Sequence, residues 1–313
     1  MLYRPLGETG LSVSILGFGA SPLGGVFGPV EQSQADAAVR AALDAGVNFF
    51  DVAPFYGATR AEMVLGRALA GIPRDQYLLA TKVGRYGQEE FDFSARRVTE
   101  SVEESLRRLG VETLDLVHCH DIEFGSLAQV SEETLPALER LRTQGKIRLL
   151  GLSGYPLRIF PTVLESTSAG ARADVILSYC HYYLGNNLLV ELLPWLHQQG
   201  VGVINASPLG MGLLRDARPP DWHPAPPELR AACAAAAAHC RRRGASLADL
   251  ALRYALAEER IATTLVGIAG TEELRRNLAA VGAPPDPVLL AEVLEILRPV
   301  RNLEWPSGRP ENR

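Results

Sequence analysis

The 313-residue chain is predicted to fold as a (β/α)8 barrel of the α/β class, with an N-terminal β-hairpin and extra helices after strand 7 and at the C-terminus. Three observations predict this. Short apolar runs alternate with amphipathic segments along the whole chain, and no linker interrupts the rhythm. The Gly-rich stretch GFGASPLGG after the first strand lacks the G-x-G-x-x-G spacing that an open dinucleotide-binding sheet carries there. Residues 1–313 are therefore expected to form one domain.

In chain order, a hairpin is expected around Gly7 to Gly10. The barrel strands are expected at Ser14–Gly19, Asn48–Asp51, Leu78–Lys82, Leu114–Cys119, Leu149–Ser153, Val175–Ser178, Gly202–Asn205 and Thr264–Val266. The connecting helices fall at Ser33–Ala45, Ala61–Ala70, Ser94–Leu109, Glu132–Gln144, Pro156–Ser166, Leu188–Gln199 and Ser246–Ala257, most of them opening at capping residues. The Pro-flanked piece from Arg218 to Arg243 reads as a loop with an inserted helix, because alanine is the best helix former and His239 to Arg243 suits a helix end. A further helix is expected at Pro287–Leu297.

Composition narrows the function. A net charge of -5, without a basic run, excludes a nucleic-acid or anionic-membrane surface and leaves a small polar molecule as the expected partner. The four cysteines show no CxxC pair, the start MLYRPLGETGLSVS lacks the character of a signal peptide, and no apolar run is long enough to span a bilayer. These features predict a cytoplasmic protein, and the lack of a heptad pattern predicts a monomer.

Barrel enzymes build their sites from the C-terminal ends of the strands, so polar residues there carry most weight. The second strand runs into NFFDVAPFYG, with Asp51 at its end and Tyr56 beyond; LLATKVG ends the third with Lys82; LVHCHD ends the fourth with His120. Singly, Asp51 also fits a cap, Lys82 a rim ion pair and His120 a hydrogen-bonded core histidine. Jointly they form a proton-transfer group. A tyrosine titrates near pH ~10 in water, so it needs a cation such as Lys82 to act near neutrality, and Asp51 would hold that lysine. His120 would orient the reacting oxygen, while His118, two residues earlier, reads as a deeper barrel residue. Metal catalysis is not expected, since the other histidines lack ligand spacing. A tyrosine acid/base without a metal suits hydride transfer to a nicotinamide.

In their order GFGAS, DVAPFYG, TKVG, HCHD, GLSG, SPLGMGLL and VGIAGTEELRRN, these segments resemble the aldo-keto reductase superfamily over essentially the whole chain. HDIEFGSL, GKIRLLGLSG, ILSYCHYYLGNN and PPDWHPAPPELR are most similar to its L-galactose dehydrogenase and related aldose 1-dehydrogenase branch. The resemblance implies oxidation of an aldose C1 hydroxyl to a lactone by Asp51, Tyr56, Lys82 and His120. It also implies cofactor contacts at Ser153, at Ser178 or Tyr179, and at Ser207, Leu209, Gly210, Gly212, Gly267, Thr271, Glu273 and Asn277. Ala206 departs from the pattern, since many members carry there a tyrosine that stacks on the nicotinamide.

Four residues before Asn277, where NADP-preferring members carry a base, stands Glu273, which would repel a 2′-phosphate and accept from ribose hydroxyls. NAD is the expected cofactor, with Arg275 and Arg276 the nearby cations to account for. Phe27, Asp121, Tyr155, Tyr183 and Trp222, on loops at the mouth, are expected to line a sugar pocket. Two rival functions share these residues: an NADPH-dependent carbonyl reductase, and a cofactor-binding regulatory subunit.

Overall fold

The computed structural model describes residues 1–26, 28–215 and 219–313. The chain opens with an antiparallel hairpin, β1 (Tyr3–Pro5) with β2 (Ser12–Ser14). Eight parallel strands follow: β3 (Leu16–Gly19), β4 (Phe49–Asp51), β5 (Leu78–Val83), β6 (Leu114–Cys119), β7 (Ile147–Gly154), β8 (Val175–Tyr179), β9 (Gly202–Ala206) and β10 (Thr263–Gly267). Each pairs with its sequence neighbour, and β10 pairs with both β9 and β3, which closes the barrel.

The surrounding helices are α1 (Gln32–Asp44), α2 (Arg60–Leu69), α3 (Ala95–Leu109), the short α4 (Leu127–Gln129), α5 (Leu135–Thr143), α6 (Ile159–Ser166), α7 (Leu189–Gln198), α8 (Pro227–Arg242), α9 (Leu247–Leu256), α10 (Thr271–Leu278) and α11 (Pro287–Leu297). Local chemistry sets their ends. Ser94 accepts a hydrogen bond from the Arg97 amide to start α3, and left-handed Gly110 ends it. Asp286 accepts from the amides of Val288 and Leu289 to start α11. The alanine run lies within α8, as its propensity requires. Among the described residues, no helix is long and apolar enough to cross a membrane.

Two of the departures from the expected boundaries have a clear local cause. Ser14 belongs to the hairpin rather than to the first barrel strand: its amide donates to Asn48 Oδ1 at 2.8 Å and its hydroxyl to the Leu16 carbonyl at 2.8 Å, so it cannot continue the ladder. The helix expected to start at Glu132 instead begins at α4 and passes through a wide π turn, Val130–Thr134, into α5. Pro136 accounts for the turn, because it brings no N–H to the ladder and its ring crowds the carbonyl one turn back.

The barrel interior has two levels. At the base, Phe49, Ala80, Leu116, Val175, Leu177, Ile204 and Leu265 pack with Leu6 and Val13 of the hairpin, which plugs that end. Gly7, at φ 57°, makes the plug fit, for a Cβ there would lie 2.4 Å from the Gly202 amide nitrogen. Toward the strands' C-terminal ends the buried residues turn polar: Asp51, Lys82, His118, Ser178 and Asn205. A cleft of about 250 Å³ at the hairpin end, lined by Glu8, Arg142, Arg172 and Asp174 among others, holds none of these groups.

A second hydrophobic cluster, outside the barrel, joins α8 and α11 to Tyr155, Tyr183 and Trp305. Above it, residues 302–313 run as a strap across the loops that follow β6, β7 and β8. Asn302 donates from its backbone to the Gly185 carbonyl (2.8 Å), the Trp305 amide donates to Tyr155 Oη (3.3 Å), and Asn312 Nδ2 donates to the carbonyls of Glu123 (2.8 Å) and Gly125 (2.9 Å).

Candidate active site

Three adjacent strands bring the predicted group together at the mouth. Asp51 ends β4, Lys82 lies near the end of β5, and His120 follows β6, where its amide donates to the Val83 carbonyl at 2.8 Å. Lys82 Nζ donates to Asp51 Oδ1 at 2.5 Å and to the Val52 carbonyl at 3.0 Å. The same ammonium lies 4.8 Å from the Tyr56 ring centroid, close enough for its charge to act on the phenol. His120 meets the Tyr56 ring edge-on, with centroids 5.8 Å apart. Tyr56 is fixed by its backbone: a Cβ on Gly57 (φ 63°) would come within 2.1 Å of the Gly24 carbonyl, so only glycine lets the loops after β3 and β4 pack this closely.

Electrostatics give each member a definite proton state. Burial opposes charge on Lys82, but Asp51 and Tyr56 more than offset it and raise its pKa, so the lysine is a cation. Burial drives the His120 pKa well below its ordinary value, and the charges of Lys82 and Arg85 push the same way, leaving a neutral imidazole. For Tyr56 burial exceeds the pull of Lys82, so the phenol pKa lies above its ordinary value, not below it. Tyr56 therefore rests as a proton donor, and Lys82 limits the upward shift. His118 is fully buried in register with Lys82 and also neutral, as a deeper barrel residue should be.

The residues expected to hold the cofactor form an arc from β7 to α10. Ser153 is buried at the end of β7, where its hydroxyl accepts from the Asp121 amide at 3.4 Å. Ser178 stands across β8 and β9 from Asn205, a residue that sequence reasoning had not singled out, and among the described residues Ser178 Oγ and Asn205 Oδ1 are buried without a protein partner. Such atoms call for a polar ligand, which a nicotinamide carboxamide would be. Tyr179 ends β8 and pairs in register with Ala206. After β9 the chain winds through left-handed conformations at Ser207, Gly210 and Gly212, with Leu209 among them. Backbone with few side chains in its way can approach a pyrophosphate closely. Gly267 ends β10, and Thr271 opens α10, whose N-terminus favours an anion.

Glu273 has a role that its sequence position did not reveal. One carboxylate oxygen accepts from the Ala269 amide at 2.8 Å, and the other lies 4.0 Å from Arg215, a cation from the loop after β9. Arg275 and Arg276 instead turn to Glu272, at 2.9 and 3.9 Å, on the exposed face of the helix. Asn277 lies one turn beyond Glu273.

The expected sugar-pocket residues fare differently. Asp121 stands beside His120, with its Oδ2 3.7 Å from His120 Nε2. Tyr155 and Tyr183 do not offer a face to the mouth: they are 2% and 1% exposed within the second cluster, because aromatic bodies on these loops pack under the strap rather than over the barrel. Trp222 is 55% exposed and stacks near His223. Phe27 lies outside the described residues.

Two further groups escaped sequence reasoning. Arg85, three residues past Lys82, forms an ion pair with Asp121. Glu123, three past His120, is fully buried beneath the strap, where Oε1 accepts from the Tyr155 amide (3.1 Å) and the Ser307 hydroxyl (3.0 Å). Burial and the neighbouring Asp121 push its pKa up to about 8. Because the folded value lies above the unfolded one, the folded state holds the extra proton, and stability falls as pH rises from about 4.5 to about 8. The slope approaches about 1.4 kcal/mol per pH unit within that window. Glu123→Gln is expected to flatten this part of the profile in urea unfolding across the window; equal slopes for variant and wild type would remove Glu123 as the cause.

The barrel and the cluster at its mouth define an aldo-keto reductase. The aldo/keto reductase family model matches residues 15–296, and the chain belongs to that family. It is 52% identical to L-galactose dehydrogenase of Arabidopsis thaliana, over 99% of this chain and 98% of that protein. It is 38% identical to D-arabinose 1-dehydrogenase of Saccharomyces cerevisiae over 77% of this chain and 74% of that one. An aldo-keto reductase of Bacillus halodurans in its holo form superposes with a TM-score of 0.78 at 27% identity, over 100% and 99% of the two chains. The chain is thus an oxidoreductase of a family that uses a nicotinamide cofactor, NAD or NADP.

Proposed function

We propose that the protein oxidises the C1 hydroxyl of an aldose, L-galactose or a related sugar such as L-fucose, to the aldonolactone, with NAD as the oxidant. The observation that carries the chemistry is Tyr56 held between cationic Lys82 and neutral His120 at the mouth of the barrel. The choice of sugar rests on the aldose dehydrogenases among its relatives.

A nicotinamide, its carboxamide held by Ser178 and Asn205, would supply the acceptor for the C1 hydrogen and its electron pair. The protein's own residues manage the remaining proton. His120, held neutral, accepts from or donates to the C1 oxygen and fixes its direction. The hydroxyl proton passes to Tyr56 once that phenol has lost its own, and Lys82 stabilises the phenolate while it exists. Asp51 keeps Lys82 charged and aimed. Closing the C1–O bond to a double bond then gives the lactone.

NAD over NADP is supported by Glu273, whose carboxylate lies 4.0 Å from Arg215 and would repel a 2′-phosphate brought to the start of α10. The test of both halves is one assay: the protein with L-galactose or L-fucose and either NAD or NADP, followed at the absorbance of the reduced cofactor. Turnover with NAD is expected, and absence of turnover with every aldose would defeat the proposal. Glu273→Lys supplies a cation and frees Arg215, so NADP preference should rise by about tenfold or more. An unchanged ratio of kcat/KM values would show that the adenosine end is read elsewhere.

A further inference from the structure

We propose that Arg85 and Asp121 together read the C2 hydroxyl of the sugar, as a specificity-determining pair that separates polyhydroxylated substrates from simple carbonyl compounds. The proposal deepens the aldose reading and rests on it.

The geometry is that of a built site. Asp121 follows His120 directly and adopts a left-handed backbone at φ 51°, a conformation that aspartate tolerates better than most residues and that turns the carboxylate back beside the imidazole. Its Oδ2 lies 3.7 Å from His120 Nε2 and takes the ion pair with Arg85 Nη1. The Arg85 guanidinium carbon sits 3.8 Å above the centroid of Phe55, 5.3 Å from that of Phe91 and 5.7 Å from that of Phe124. Phe91 and Phe124 stack on each other at 4.7 Å and back the cage. Phe55 in turn meets His120 edge-on at 6.0 Å and lies 6.1 Å from Tyr56. One aromatic ring therefore separates the guanidinium from the proton-transfer pair.

Ring contacts hold a guanidinium by its face and leave its edge for hydrogen bonding. Nη1 serves Asp121 and Nε reaches the Gly87 carbonyl at 3.5 Å, while among the described residues Nη2 has no hydrogen-bond partner. The pair thus presents a carboxylate acceptor and a guanidinium donor side by side, next to the place where C1 must sit. A vicinal hydroxyl donates to the first and accepts from the second. An ordinary aldehyde or ketone has nothing to offer the carboxylate. A nearly buried ion pair also contributes little to stability over an apolar pair of similar size, so stability alone does not account for it.

The test measures kcat and KM for L-galactose, 2-deoxy-L-galactose and L-fucose, the 6-deoxy analogue, in wild type, Arg85→Ala and Arg85→Gln. The glutamine keeps a donor for Asp121 in case the alanine variant folds poorly. For L-galactose and L-fucose, KM should rise by about tenfold or more with kcat little changed and NAD affinity intact. For 2-deoxy-L-galactose, the wild type should already show that loss, and the substitutions should add nothing further. An equal added loss with all three sugars, or a matching fall in NAD affinity, overturns the proposal. If the wild type turns over none of them, the functional reading fails by itself. The pair is then judged by calorimetric binding of the same sugars to the NAD-loaded protein, where weaker L-galactose binding in Arg85→Ala supports it and unchanged binding overturns it.

Discussion

Tyr56→Phe is expected to lower kcat by roughly a thousandfold or more, within the range that a positioned acid/base commonly supplies, while NAD affinity stays at the wild-type level. The phenol lies against Lys82 and His120 at the barrel mouth, whereas the residues expected to meet pyrophosphate and adenosine lie on the loops after β9 and β10. Removing one oxygen leaves that second region untouched. A pH signature accompanies the effect. Burial raises the Tyr56 pKa despite Lys82, and oxidation needs the deprotonated phenol, so kcat/KM for aldose oxidation should climb with pH through neutrality and beyond. The reverse reaction needs the phenol as donor and should show the opposite trend. Stopped-flow rates in both directions, in wild type and variant, check the assignment; substantial residual turnover in Tyr56→Phe, or parallel pH trends in the two directions, would remove Tyr56 from the role.

Lys82→Met should produce the largest loss of stability of any single change at the site. Asp51 and Lys82 are 3% and 1% exposed, and the ammonium satisfies both Asp51 Oδ1 and the Val52 carbonyl. Without it a carboxylate remains in a closed barrel with no cation, a change that typically costs about 3–5 kcal/mol. Activity should fall with it, since Tyr56 loses the charge that favours its phenolate. Adding Asp51→Leu separates the two effects: the double variant should recover most of the stability and none of the turnover. Chemical denaturation and kcat together decide the matter. A single variant as stable as wild type would mean that the pair organises nothing, and turnover regained in the double variant would mean that the lysine is dispensable.

The barrel was legible in sequence because strands buried on both faces must be continuously apolar, and β6 is buried at all six positions. Asp51, Lys82 and His120 were legible because such strands end abruptly in polar residues, and position on a barrel strand fixes position at its mouth. Loop residues carry no such coordinate. Tyr155 and Tyr183 look like carbohydrate-facing aromatics until both are seen buried in the second cluster, where Tyr155 stacks on Trp305, more than a hundred residues away in sequence. Arg85 and Glu123 were within sight, as charged residues just beyond two of the strand ends, and a search of every ionisable residue within three positions of Lys82 and His120 would have found both. What it could not have supplied is the aromatic cage around the one or the strap over the other. Glu273 was noticed for its charge, yet its hydrogen bond to Ala269 and its approach to Arg215 depend on how the loop after β9 returns to α10.

The seam of the barrel also shapes how the protein acquires activity. Leu16 to Gly19 of β3 pair with Thr264 to Gly267 of β10, the two ends of the strand series. Contacts this distant in the chain form late, because loop closure must be completed before they contribute. The strands carrying Asp51, Lys82 and His120 are neighbours joined by single helices and can associate early. The loops after β9 and β10, where the pyrophosphate and adenosine are expected, fall into place only when the seam shuts. During refolding, helical structure should therefore return before any capacity to hold a nicotinamide, and the proton-transfer group should wait, assembled and idle, for the last strand.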